Sequence, residues 1–238
     1  KKQISYKHQR LRLYTDLTVQ TKIDFYADLY NVPKKIREQK ITELLAFSNM
    51  EPFRDRKAGK LSGGMKQKLA LACALVHTPK VLLLDEPTNG VDPLSRRDFW
   101  KILYKLLEEG VTIFVSTAYL DEAERCTRVG LLHQGKLIIS GTPDEVKNNM
   151  RGVLVEVLCK SPRKVMDVLT SRLKPLSAGL FGAKIHLLLE GEATDALRSV
   201  KDSLRDMAVD AEAAIVLPSL EDVFISMSMP QEGSGSHG

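Results

Sequence analysis

The sequence predicts an α/β protein with an α-helical portion in its N-terminal third and a small α+β unit at its C-terminal end. Three observations carry this. Two aliphatic runs, Val81-Leu82-Leu83-Leu84 and Val111-Thr112-Ile113-Phe114-Val115, flank a helical pattern near 94–109, which is a βαβ pattern of the buried parallel kind. Residues 19–47 and 64–77 carry apolar residues at helical spacing. After Gly141-Thr142-Pro143 the patterns run strand, helix, strand, strand, helix, strand, the βαββαβ order of a ferredoxin-like unit.

In chain order, residues 19–47 read as two helices split at Asn31-Val32-Pro33, because proline cannot continue a helix and asparagine tolerates the turn before it. Val19, Ile23, Phe25, Tyr26 and Leu29 form the first apolar stripe, and Ile36, Ile41, Leu44 and Leu45 the second. A third helix, about Gly64 to His77, has Met65, Leu69, Ala72 and Val76 on one stripe. The βαβ segment comes next, then a hairpin with strands near 128–132 and 136–140 around Gln134-Gly135. The C-terminal unit reads as strand 153–158, helix 162–173, strands near 176–180 and 184–190, helix 192–205 and strand 209–216. A last helix, about 219–228, precedes a Gly/Ser-rich tail that is expected to be flexible.

Composition narrows the class. With 238 residues, 43% hydrophobic and 27% charged, the chain is of ordinary globular type, and no apolar run approaches the roughly 18 residues that cross a bilayer. Three separated cysteines, Cys73, Cys126 and Cys159, suggest neither a disulfide framework nor a zinc site, and fit a reducing cytoplasmic compartment. Residues 1–60 hold 14 Lys and Arg against 7 Asp and Glu, and the remainder 21 against 23. Few aromatics interleave with these bases, so a solvated basic face is the better reading and no nucleic-acid partner is expected.

Two segments carry chemistry. In Leu61-Ser62-Gly63-Gly64-Met65 a serine and two glycines open a helix, where unpaired N–H groups, the helix dipole and the Ser62 hydroxyl suit an anionic phosphate, with the glycines admitting close approach. Taken alone, plain capping by Ser62 explains it better. In Val81-Leu82-Leu83-Leu84-Asp85-Glu86-Pro87-Thr88 a buried strand delivers two carboxylates at its C-terminal end, where ligands of open α/β sheets bind. Strand alternation would send Asp85 and Glu86 to opposite sides, one to hold magnesium and the other to handle the attacking water.

LSGGMKQK followed by VLLLDEPTNGVDP resembles the signature motif, Walker B segment and D-loop of ATP-binding cassette (ABC) ATPases. Ile4 to Gln9 resembles the strand and glutamine of the Q-loop, and Gly135-Lys136 and Gly141-Thr142-Pro143 resemble the usual end of the cassette. Pro218 to Phe224 is similar to the C-terminal extension of drug- and polymer-exporter ATPases. The resemblance implies ATP and Mg2+ as cofactors. It implies that Gln9 contacts magnesium and the attacking water, that Asp85 supports magnesium, and that Glu86 is the catalytic base. Ser62, Gly63 and Gly64 would bind the γ-phosphate of ATP held by an opposing subunit, and Asp92 would lie at the dimer contact.

The pattern departs from the family twice. No GxxxxGK[ST] occurs in the 238 residues; Gly59-Lys60 is followed by Leu61, and Arg54 stands where the first glycine belongs. The N-terminal lobe bearing this Walker A loop is therefore expected to be missing, and the chain alone to be inactive. Ala118 occupies the position of the switch histidine, whose donation to the γ-phosphate a methyl cannot reproduce. His77 and His133 are expected at the surface rather than in its place.

The resulting expectation is a partial P-loop NTPase core over 1–145, with a helical subdomain at about 10–80, an accessory α+β domain over 146–228 and a tail over 229–238. Its implied function is to power a membrane exporter by ATP-driven dimerisation with a second cassette. A transmembrane permease would hold it at the inner face of the cell membrane, the only membrane contact being through that partner. The alternative is a regulatory cassette half that pairs with a complete one.

Overall fold

A computed structural model describes residues 3–7 and 15–228. Gln9 and the tail from 229 onward lie outside the described residues. The chain divides into two compact units, Lys1–Ala118 and Tyr119–Gly238.

In the first unit β1 (Ile4–Lys7), β2 (Val81–Asp85) and β3 (Thr112–Ser116) form a parallel sheet in that order. Lys7 stands opposite Leu84, and Asp85 opposite Ser116. Helix α1 (Val19–Leu29) starts at Thr18, whose hydroxyl accepts from the Thr21 N–H at 3.2 Å. It ends where Asn31 turns left-handed (φ 54°) before Pro33, and α2 (Lys34–Phe47) then returns. Val19, Ile23, Ile41, Leu45, Leu69 and Ala72 share one core.

Helix α3 (Gly63–Leu75) is buried from Leu69 to Leu75 without interruption, not along one stripe. It packs against α1, α2, β1 and α4 (Pro93–Glu108), so every side of its second half meets protein. Each leucine so buried contributes about 2 kcal/mol. The sequence pattern predicts parallel strands covered on both faces; here Ser5, Lys7, Leu82 and Leu84 are buried, whereas Ile4, Tyr6 and Phe114 are exposed.

The second unit opens with α5 (Leu120–Ala123) and the hairpin β4 (Val129–His133) and β5 (Lys136–Gly141). Gln134 (φ 49°) and Gly135 (φ 75°) are both left-handed, as a two-residue turn matched to strand twist requires. Helix α6 (Pro143–Asn148) begins with a capping box between Thr142 and Glu145. Strands β6 (Val153–Cys159), β7 (Ser177–Phe181), β8 (Lys184–Leu189) and β9 (Ala211–Ile215) form an antiparallel sheet in the order β7-β8-β6-β9. Helices α7 (Pro162–Leu173) and α8 (Ala193–Asp206) share a core with it through Val155, Val157, Leu169, Leu187, Val200 and Leu204. This is the ferredoxin-like order expected.

Helix α9 (Leu220–Ser228) ties the second unit together. Its Leu220 and Val223 form one cluster with Leu131 of the hairpin and Val146 of α6. Its Asp222 accepts from Nδ1 of His186 on β8 at 2.6 Å, while Nε2 of the same ring meets Glu156 of β6 at 3.0 Å. The hairpin, α6 and the four-stranded sheet are thus joined through one helix. Residues 119–145 belong with the C-terminal α+β unit.

Candidate functional site

The site-bearing residues of the first unit gather in two clusters. The first is built where β2 and β3 end side by side. Ser116 Oγ donates to Asp85 Oδ1 at 2.7 Å, and the Tyr6 hydroxyl reaches Asp85 Oδ2 at 3.4 Å. The Glu86 N–H points across to Ser116, with its nitrogen 3.0 Å from the carbonyl oxygen and 3.2 Å from Oγ. Asn89 Nδ2 donates to Glu86 Oε2 at 2.9 Å. Both carboxylates are half-buried.

Glu86 does not continue the strand. Its φ is +39°, a left-handed conformation uncommon for a residue with a Cβ. A backbone turn, rather than the pleat of a strand, therefore separates its carboxylate from that of Asp85. Such local strain persists where the surroundings over-determine it, and the two Ser116 acceptors do so here.

The second cluster joins the start of α3 to the start of α4. Ser62 caps α3 by accepting from the Met65 N–H at 3.3 Å, and Asp92 caps α4 by accepting from the Ser95 N–H at 2.9 Å. That donation holds the Asp92 carboxyl below its ordinary range. A Cβ on Gly64 would lie 2.4 Å from Ser95 Cβ, whereas one on Gly63 would only touch the Gly90 carbonyl at 3.4 Å. Gly64 is thus a glycine because two helix starts meet there. Gly63 and Ser62 are the exposed members of the motif.

Ala118 is exposed, two residues beyond Ser116. His77 is not the surface residue expected: it stacks on Tyr30 with ring centroids 3.9 Å apart, and burial pushes its pKa down. His133 lies in the second unit, edge-on to Phe224 at 6.0 Å. Gly59 and Lys60 sit in a short 3-10 turn, Ala58–Lys60.

Three neighbours of the carboxylates escape a reading of motifs, namely Tyr6, Asn89 and Ser116. Ser116 leaves one trace in the sequence, a hydroxyl directly after the aliphatic run that pairs with β2. Lys7 is also unexpected. It is 1% exposed, its Nζ has no hydrogen-bond partner among the described residues, and burial lowers its pKa to about 8 against the opposing pull of Asp85.

The donor set fits a hard divalent cation. It consists of carboxylate and hydroxyl oxygens, and among the described residues Asp85 Oδ2 meets the Tyr6 phenol at long range. The 13-residue α3 presents its N-terminus with an exposed serine and glycine, which fits an anion.

The ABC transporter family profile matches residues 1–89. Over 89% of its length the chain is 33% identical to the daunorubicin resistance ATP-binding protein DrrA2 of Streptomyces coeruleorubidus, of which it covers 67%. The chain belongs to the ABC transporter ATP-binding family. Over 94% of its length it is 43% identical to YbhF of Escherichia coli, a probable multidrug ABC transporter ATP-binding protein, but it spans only 38% of that relative. Among solved structures, the ATP-binding subunit of an ABC transporter matches 62% of this chain and 62% of its own, with 29% identity and a TM-score of 0.55. The cbiO1 subunit from Clostridium perfringens, part of the ABC transporter complex cbiONQ, matches 73% of this chain and 65% of its own, with 28% identity and a TM-score of 0.56. The α/β ABC ATPase fold is therefore the frame in which both clusters sit, and ATP is the ligand of that family. Among the described residues no helix is long and apolar enough to cross a membrane.

Proposed function

We propose that this chain supplies the signature, Walker B, D-loop and Q-loop portions of an ATPase that drives an exporter-type ABC transporter. The observation that carries the reading is the Asp85–Glu86 pair at the end of β2, held by Ser116 and Asn89. The kinship to YbhF and DrrA2 supports the exporter class, since those proteins are named for multidrug transport and daunorubicin resistance.

Mg–ATP, when bound, supplies the electrophilic γ-phosphorus. Asp85 would support the magnesium, and Gln9 would contact both the magnesium and the attacking water. Glu86 accepts the proton of that water at its carboxylate. Ser62 and the N–H groups of Gly63 and Gly64 receive the γ-phosphate of ATP carried by a partner cassette, and Asp92 stands at the contact between the two. These 238 residues hold no GxxxxGK[ST] loop. Tighter binding of ATP by the closed pair than by the open one drives closure, and a permease held at the inner face of the cell membrane receives the motion.

In the complete ATP-binding protein, Glu86→Gln is expected to trap an ATP-bound dimer, read as a doubled mass in size-exclusion chromatography with light scattering. A variant that stays monomeric and turns ATP over would overturn the role of Glu86. A second reading, a regulatory cassette paired with a complete one, is favoured by Ala118. Ala118→His should raise turnover several-fold if the chain is a weakened motor, and an unchanged rate would show that position 118 is not the switch; a second, complete cassette in the same polypeptide would favour the regulatory role.

A further inference from the structure

We infer that Ser116 is a positioning residue for both carboxylates of the pair, an inference that rests on the reading of Asp85 and Glu86 above. A serine hydroxyl has one proton to give and lone pairs to receive with. Ser116 uses both: it donates to Asp85 Oδ1 at 2.7 Å and accepts from the Glu86 N–H at 3.2 Å. Its carbonyl accepts the same N–H at 3.0 Å.

These contacts act at different levels. The donated bond selects one Asp85 rotamer and turns Oδ2 away from β3, toward Tyr6. The accepted bonds hold the amide at which the chain leaves β2 and swings into the left-handed turn of Glu86 (φ 39°). The register makes this possible, because Ser116 is the strand partner of Asp85 at the last rung of the sheet. One side chain thus sets the direction of the metal-supporting carboxylate and the exit angle of the water-handling one. Alanine would keep the carbonyl contact and lose both hydroxyl contacts. Threonine would keep all three and suits a strand.

The test uses the complete ATP-binding protein with Mn2+–ATP as probe. Ser116→Ala is expected to weaken Mn2+–ATP binding, followed by electron paramagnetic resonance, by about 10-fold or more, the usual effect of removing a group that orients a metal ligand. It is also expected to speed exchange of the Glu86 amide, which loses one of its two acceptors while the Ser116 carbonyl remains, and to lower kcat, with Ser116→Thr reversing all three effects. Unchanged Mn2+–ATP affinity and amide exchange in a folded Ser116→Ala protein would overturn the inference, as would failure of threonine to rescue. If alanine prevents folding, Ser116→Cys decides: as a weak donor it must fall between serine and alanine, and full wild-type affinity refutes the role. Glu86→Gln is run in parallel. If it leaves turnover intact, the reading of Glu86 fails, while the binding and exchange data still decide the role of Ser116.

Discussion

The two adjacent glycines that open α3 should respond oppositely to the same substitution. At Gly64 a new methyl would sit 2.4 Å from Ser95 Cβ and 2.5 Å from Ser95 Oγ, closer than real side chains approach. Relieving that clash means moving the start of α3 from α4, at a cost of about 1–3 kcal/mol, offset by about 1 kcal/mol of helix propensity. The net loss of up to about 2 kcal/mol corresponds to a fall in Tm of up to about 8 °C for a unit of this size. At Gly63 the methyl would meet only the Gly90 carbonyl at 3.4 Å, so Gly63→Ala should be neutral or gain up to about 1 kcal/mol. Thermal unfolding by circular dichroism measures both. The decisive arm is a double-mutant cycle with Ser95→Gly, which removes the opposing atoms and should recover about 1 kcal/mol or more of coupling. Equal Tm shifts at the two glycines, or no coupling to Ser95, would refute the packing argument. Gly63→Ala should instead weaken ATP-driven dimerisation of the complete protein without lowering its stability, because it crowds the surface assigned to phosphate.

Two further predictions concern charge. Lys7, buried and with its pKa lowered from 10.5 to about 8, penalises the fold below pH 8 by about 3 kcal/mol. The penalty is relieved between pH 8 and 10.5, where the unfolded chain still binds the proton and the folded one has released it. Lys22, likewise lowered to about 8, contributes a similar rise. Lys7→Met should therefore raise urea stability at pH 7 and remove about half of the gain seen on going to pH 10, and an unaltered pH profile would contradict the burial argument. Glu156 is held below its ordinary range by hydrogen bonds from His186 and then Lys184. Its contribution is complete above the ordinary carboxylate pKa of about 4.3 and is lost as pH falls below it. Glu156→Gln should flatten that acid limb, measured by amide exchange in β6 between pH 3 and 6.

What the sequence makes legible depends on the range of the causes. The ferredoxin-like unit is readable because each strand and helix carries its own period, and the turn at Gln134-Gly135 announces itself by residue type. The carboxylate pair is readable because four aliphatics precede it. The place of the last helix is not, since Leu131 and Val146 are claimed by Leu220 and Val223 from far along the chain. Nor is Ser116, which gains its meaning only when strand register sets it beside Asp85. Gly64 shows a subtler limit: its residue type correctly signals a close approach, but the approaching group is Ser95 on a neighbouring helix. Lys7 carries no local sign of burial at all.

The place of α9 has a consequence for protein engineering. Because this last helix is packed against the hairpin, against α6 and against β7 together, a graft that transplants only the four-stranded sheet would leave an apolar patch behind on the donor and carry an unmatched one to the host. A stop codon before Leu220 should therefore expose the hairpin and the sheet to proteolysis together, because both lose the helix that covers them.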